Sequence, residues 1–165
     1  MLEIRNEEPG DIPAIRTIIK AAFADMAYSS QTEAEIIDGL RDAGALRLSL
    51  VAVEDGEVIG NVAFSDVTID GRDGWVGLGP GAVKPGLQSR GVGSALIRGG
   101  LERMRLAGVA GCVLVGDPGY YKRFGFAAVS GLGYDGVPDE YVLALRFTDA
   151  VPKGAIAYHA AFSVA

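Results

Sequence analysis

The chain is predicted to fold as one α/β domain over residues 1–165, a mixed sheet with helices on both faces. Three observations carry this. Segments of strand period and helix period alternate along the chain. A strand, a helix and a short wholly apolar strand follow one another between Trp75 and Val115, a βαβ unit whose two strands run parallel. The length of 165 residues suits a single core, with no repeat, linker or low-complexity stretch to divide it.

The elements follow in order. Residues 2–5 alternate as a short first strand. Asp11 is placed to cap a helix with Pro13 in its first turn, and Ile12, Ile15, Ile19, Ala22 and Met26 give it one apolar face. Thr32-Glu33-Ala34-Glu35 has the form of a capping box and opens a second helix with Ile36, Ile37 and Leu40 inward. Residues 48–53 and 58–69 form a hairpin about Asp55-Gly56. The apolar phase of the return strand slips near Ser65-Asp66, where a bulge or twist is expected.

Residues 75–83 make the next strand. Gly77, Gly79, Pro80 and Gly81 lie within it, so it should be interrupted near Pro80, because proline has no N–H for a ladder. A loop over 84–90 leads to a helix over 91–107, dry along Leu96, Ile97, Leu101 and Met104 and wet along Ser94, Arg98, Glu102 and Arg105. Gly99-Gly100 inside it costs about 1 kcal/mol per residue against alanine, which a close approach to the sheet would explain. Residues 112–115 are a strand buried on both faces. Residues 118–123 are one or two helical turns stopped by Gly125. Residues 126–129 and 141–147 are further strands, and 155–159 an edge strand.

Bulk properties exclude several classes. A formal net charge of −6 argues against a general nucleic-acid binder. No apolar run approaches the roughly 20 residues of a membrane span, and residues 1–10 carry three glutamates in place of a signal peptide's apolar region. A single cysteine, Cys112, allows no internal disulfide and fits a reducing, cytoplasmic setting. No His/Cys/Asp cluster has metal spacing, so no metal is expected.

The chemistry centres on Gln88-Ser89-Arg90-Gly91-Val92-Gly93-Ser94, which opens a helix after a strand. The first amides of a helix lack internal partners, and the macrodipole adds partial positive charge, so this start is suited to phosphate. Gly91 and Gly93 permit close approach, Arg90 adds a cation, and Ser89 and Ser94 add hydroxyls. A Walker loop is absent, and Gly91-Val92-Gly93-Ser94-Ala95-Leu96 lacks the third glycine of a dinucleotide fingerprint.

Together with Ala82-Val83-Lys84-Pro85, this loop resembles the coenzyme A signature of the GNAT acetyltransferase superfamily, Gln/Arg-x-x-Gly-x-Gly/Ala. A second block, Gly116-Asp117-Pro118-Gly119-Tyr120-Tyr121-Lys122-Arg123-Phe124-Gly125-Phe126, resembles the superfamily's Tyr-x-x-x-Gly-Phe block, and in its Gly-Asp-Pro-x-Tyr-Tyr form is similar to a small bacterial YhbS-like subgroup. The resemblance spans residues 2–147. It implies a mostly antiparallel sheet with one splayed parallel pair, the strands ending near Val83 and Val115, and acetyl-CoA as co-substrate lying in the splay. It further implies that Ala82 and Val83 pair with the pantetheine and that the Val83 N–H polarises the thioester carbonyl. The amides of Arg90 to Ser94, with Gln88 and Ser89 beside them, would take the pyrophosphate, while Lys122 and Phe124 touch the cofactor's far end and arm. Tyr121 matches the tyrosine that protonates the leaving thiolate; a phenol of pKa about 10 keeps its proton at neutral pH. Tyr120 reads as wall.

The attacking amine needs a proton carrier. Residues 74–81 hold no carboxylate, where many relatives place a base. Glu33 and Asp66, the latter through a water, are the candidates; Glu35 is explained by the capping box; ordered waters are the alternative. His159 reads as a packing or surface residue, and Cys112 as a structural thiol. The expected activity is direct acyl transfer to a primary amine of a small molecule or peptide, with a non-catalytic acyl-CoA-binding module as the alternative. Loops 27–31 and 131–139 are expected to shape the acceptor site, and a free C-terminal edge strand would let two copies pair as a homodimer.

Overall fold

The strand predicted over residues 58–69 is the axis of the molecule. A computed structural model describes residues 1–24, 26 and 31–163. The elements are β1 (Leu2–Asn6), α1 (Ile12–Phe23), α2 (Glu33–Asp42), β2 (Leu46–Glu54), β3 (Glu57–Ile69), β4 (Arg72–Val83), α3 (Val92–Leu106), β5 (Gly111–Val115), α4 (Pro118–Tyr121), β6 (Ala127–Ala128), β7 (Leu132–Gly133), β8 (Val142–Arg146) and β9 (Gly154–Ala157). The sheet runs β1-β2-β3-β4-β5-β8-β6, antiparallel throughout except for β4 against β5. Among the described residues no helix is long and apolar enough to cross a membrane.

Each face of the sheet has its own core. On one, Leu96, Ile97, Leu101 and Met104 of α3 pack on Phe64, Val76 and Leu114. On the other, Ile15, Ile19 and Ile37 of α1 and α2 pack on Val51 and Ala63. The double glycine of α3 has the expected cause: a Cβ added at Gly100 would stand 2.2 Å from Phe64 Cε1. Alanine there would overlap the ring, so the helix accepts glycine's conformational cost to lie against β3.

Several local expectations are corrected. Asp11 makes no side-chain cap on α1. Its carboxylate accepts from the Glu8 amide at 2.7 Å and from Arg5 Nη1 at 2.7 Å, closing the short turn before the helix. The Arg5 hydrogen bond holds this carboxyl below its ordinary range. α1 ends at Phe23, so Met26 lies beyond the helix. Thr32 occupies the N-cap of α2 without a capping side-chain bond, and Glu35 stands 3.8 Å from Arg16 Nη2.

The phase slip at Ser65-Asp66 coincides with an irregularity in the pairing to β2, where Leu46↔Ser65 is followed by Leu48↔Phe64 and the extra residue lies on β2. Pairing with β4 continues through Ser65↔Gly77 and Asp66↔Val76. The cover changes as well: Phe64 faces the core under α3, whereas Val67 and Ile69 face a third cluster with Trp75, Leu132 and Ile156. β9 lies between β3 and β7, with Thr68↔Ala157 on one side and Leu132↔Gly154 on the other. The free edge expected to pair two copies is therefore occupied.

Candidate active site

β4 and β5 are in register at Trp75↔Gly111, Val76↔Cys112 and Gly77↔Val113, and then part. The interruption expected at Pro80 is present. Between the pairs Phe64↔Leu78 and Val62↔Gly81, β4 carries one residue more than β3, so it bulges at Gly79-Pro80. Gly79 has φ +129°, a region that side chains disfavour. Between the separated strands opens a cleft of about 500 Å³. Its walls are Leu78 to Val83 on one side and Val115, Gly116, Asp117, Tyr120 and Tyr121 on the other. Leu96 and Ile97 line it from α3, and Ala22, Phe23, Met26 and Asn61 from the opposite face.

At the α3 end the site is made of backbone. Gly91 is the N-cap at φ +84°, with no side chain capping the helix. The amides of Val92, Gly93 and Ser94 thus begin the helix without a side-chain acceptor, a start fitted to an anion. A Cβ added at Gly93 would lie 3.7 Å from Val83 Cγ2 and 3.9 Å from the Tyr120 hydroxyl, so the loop, the end of β4 and Tyr120 converge there. Gln88 braces the loop from within: its Oε1 accepts from the Gly86 amide at 3.0 Å, and its Nε2 donates to the Val83 carbonyl at 3.4 Å. Ser89 holds φ +67° in the turn. Arg90 lies on the outer flank, 3.8 Å from Glu54 Oε1.

The wall across from the bulge is aromatic. Asp117 caps α4 by accepting from the Gly119 amide at 2.9 Å, which sets the direction of the Tyr120-Tyr121 pair. The two rings meet edge to face at 4.9 Å. Tyr121 lies over Gly116, where a Cβ would come within 2.6 Å of its ring. Tyr120 is therefore more than wall, because its hydroxyl reaches the helix start. Phe124, expected to touch the cofactor arm, is 8% exposed in the core behind both rings. Lys122 is exposed and is not among the described lining residues.

The two carboxylates named as candidate bases are not found at the cleft among its described lining. Asp66 receives Arg47 Nη1 at 2.8 Å on the exposed surface. Neither Asp66 nor Glu33 is among the described residues that line the cleft; Asp117 is the one carboxylate among them. His159 packs in the tail, its Nδ1 accepting from the Ala161 amide at 3.0 Å. Cys112 is fully buried, and burial pushes its thiol well above the ordinary range, which fits a structural role. Of the loops expected to shape the acceptor site, residues 27–30 lie outside the described residues, and 131–139 supply none of the described lining.

Two features escaped the sequence reading. Tyr158 packs from the C-terminal tail onto Gly77, the last residue of β4 paired with β5. Asn61 is 1% exposed at the cleft on β3. A lone amide inside the apolar run 58–64 was its signal.

Comparison with known proteins places this geometry. The family model described as "Acetyltransferase (GNAT) domain" matches residues 3–129. The chain is 42% identical over 125 residues to the N-acetyltransferase YhbS of Escherichia coli K12, covering 74% of this chain and 72% of that protein. A GNAT family acetyltransferase from Brucella melitensis, solved in complex with acetyl-CoA, is similar with a TM-score of 0.89 and 51% identity over 98% of both chains. Escherichia coli YhbS in complex with CoA gives a TM-score of 0.90 at 34% identity, covering 99% of this chain and 92% of that one. With its splayed parallel pair and open helix start, the chain belongs to the acetyltransferase (GNAT) family of acyl-coenzyme A-dependent N-acetyltransferases.

Proposed function

We propose that the chain transfers an acetyl group from acetyl-CoA to the primary amine of a small molecule or peptide by direct attack. The observation that carries this reading is the parting of β4 and β5 after Gly77, beside a helix start that no side chain caps. The residues present fit the co-substrate. The amides of Val92 to Ser94 take the pyrophosphate, with the Arg90 amide and Ser89 at the rim. The Ala82 and Val83 backbone, beyond the bulge, pairs with the pantetheine. Gln88 keeps the loop in shape from within.

The chemistry is a substitution at the thioester carbon. The amine nitrogen forms the new N–C bond, and the Val83 N–H stabilises charge developing on the carbonyl oxygen. The C–S bond then breaks, and Tyr121 gives its proton to the departing thiolate. The amine loses a proton in the same sequence; with neither Asp66 nor Glu33 among the described lining of the cleft, ordered water is the favoured carrier. No Cys–His pair supports an acyl-enzyme.

One observation favours a second reading, a non-catalytic acyl-CoA-binding module: no carboxylate among the described residues lines the acceptor side of the cleft. Thiol release from acetyl-CoA with a panel of amines decides between them. Free thiol that appears with an amine and drops sharply in Tyr121→Phe supports the transferase. Tight acetyl-CoA binding without turnover supports the module.

A further inference from the structure

Asn61 is an amide placed where the strand around it is apolar, between Ile59 and Val62, Ala63 and Phe64. A buried amide is costly unless its groups are bonded. Both protons of Nδ2 are used, one toward Ser49 Oγ at 2.9 Å and one toward the Leu50 carbonyl at 2.8 Å. The Leu50 carbonyl fixes which end of the amide is which, since the flipped amide would set oxygen against oxygen. Ser49 sends its own proton to Glu7 Oε1 at 2.6 Å, and Arg41 holds Glu7 with Nε and Nη2 at 2.8 Å each. Donation therefore runs from Asn61 Nδ2 through Ser49 to Glu7, which Arg41 holds from the other side, and the network fixes the amide by its Nδ2 end and leaves Oδ1 outside it. That oxygen is buried and has no partner. Donating both N–H groups makes it a better acceptor than a free amide.

Its position is informative. Asn61 is in register with Ala82, the residue next to Val83 on the bulged strand. It lines the cleft on the side closed by Ala22, Phe23 and Met26. An acceptor oxygen, oriented from behind and unpaired among the described residues, thus belongs to a residue beside the backbone assigned to the thioester, in a wall of uncharged side chains.

We propose that Asn61 Oδ1 receives an N–H of the acceptor amine and aims its lone pair at the thioester carbon, selecting an amine borne on an apolar body. This rests on the transferase reading above. An uncharged oxygen suits the step, because attack requires the neutral amine, and a carboxylate in that place would stabilise the ammonium form.

The test uses the full-length protein with acetyl-CoA and a panel of alkyl and arylalkyl amines, hexylamine first, in wild type, Asn61→Leu and Ser49→Ala. Asn61→Leu should lower kcat/KM for the amine about tenfold, the loss of one hydrogen bond in the reacting complex, with the acetyl-CoA KM unchanged. Ser49→Ala retains Oδ1 but frees its support, and should give the same split at about threefold. CoA affinity and thermal midpoint, read in parallel, separate this from damage to the fold. Equal losses toward amine and acetyl-CoA, or an unchanged amine kcat/KM in Asn61→Leu, would overturn the assignment alone. Acetyl-CoA binding with no thiol release on any amine in the wild type would overturn the transferase reading, and the assignment with it.

Discussion

The two ends of the cleft are built from different materials. At the α3 end the groups proposed to hold the co-substrate are backbone amides, left without a side-chain cap at Gly91 and beside a ladder interrupted at Pro80. At the α1 end they are side chains, Ala22, Phe23, Met26 and Asn61, brought together from a helix end, the segment after it and a strand. A backbone site is general. In the proposed reading it holds the co-substrate, and it depends on conformation more than on side-chain identity. A side-chain site is particular, and its partner is written in residues distant from one another in the chain.

Substitutions can break this comparison at either end. The largest effect should come from Tyr121→Phe, which removes the proposed proton donor and leaves the ring on Gly116. Turnover should fall by about 100-fold or more with CoA affinity unchanged, as read by steady-state kinetics beside a binding titration. A matching loss of affinity would move Tyr121 from the chemistry to the wall. Next is Gly91→Val. At φ +84° a side chain costs about 1–2 kcal/mol, and nothing stands within 4 Å of its Cβ, so the fold should survive. CoA binding should weaken by about tenfold as the amides shift, measured by calorimetry.

Arg90→Ala should do much less. Its guanidinium is paired with Glu54 at 3.8 Å and more than half exposed. CoA affinity should fall no more than about threefold, with the difference fading in added salt. A loss as large as that of Gly91→Val would mean that the α3 end depends on side-chain charge as well as on backbone.

The smallest effect concerns the support of α1. Because Arg5 lowers the Asp11 pKa in the folded state, their pairing adds stability above the unfolded carboxyl value of about 4 and loses it as pH falls through the lower folded value. Asp11→Asn should therefore lower the melting temperature by a few degrees at neutral pH. The difference from wild type should shrink on acidification below about pH 4. A constant difference across that range would assign the effect to packing.

The same contrast explains how much was legible in the sequence. The local geometry of the α3 end was legible, because an interrupted strand and an uncapped helix start need glycine and proline at fixed steps, and Pro80, Gly91 and Gly93 stood at them. The parallel pair followed from the βαβ pattern between Trp75 and Val115. Side-chain geometry did not. Gln88 turned inward and Phe124 went behind the tyrosines, because spacing fixes position on the chain and not rotamer. Asp11 and Thr32 had the residue types of helix caps, yet Arg5 and the Glu8 amide claimed the first, and the second made no cap. Asp66 was drawn in by a phase slip that marks a real irregularity against β2 and a change of cover from α3 to the C-terminal cluster, neither of which makes it a cleft residue. Asn61 was visible only as an amide out of place.

The central claim is that backbone amides at the start of α3 hold the co-substrate. Titration of isotope-labelled protein with CoA, followed by the amide resonances of Val92, Gly93 and Ser94, tests it directly. The account predicts that these amides shift together, saturating at the affinity measured by calorimetry, and that Gly91→Val weakens the shifts and the affinity in step. CoA binding that leaves these three resonances unmoved would contradict it.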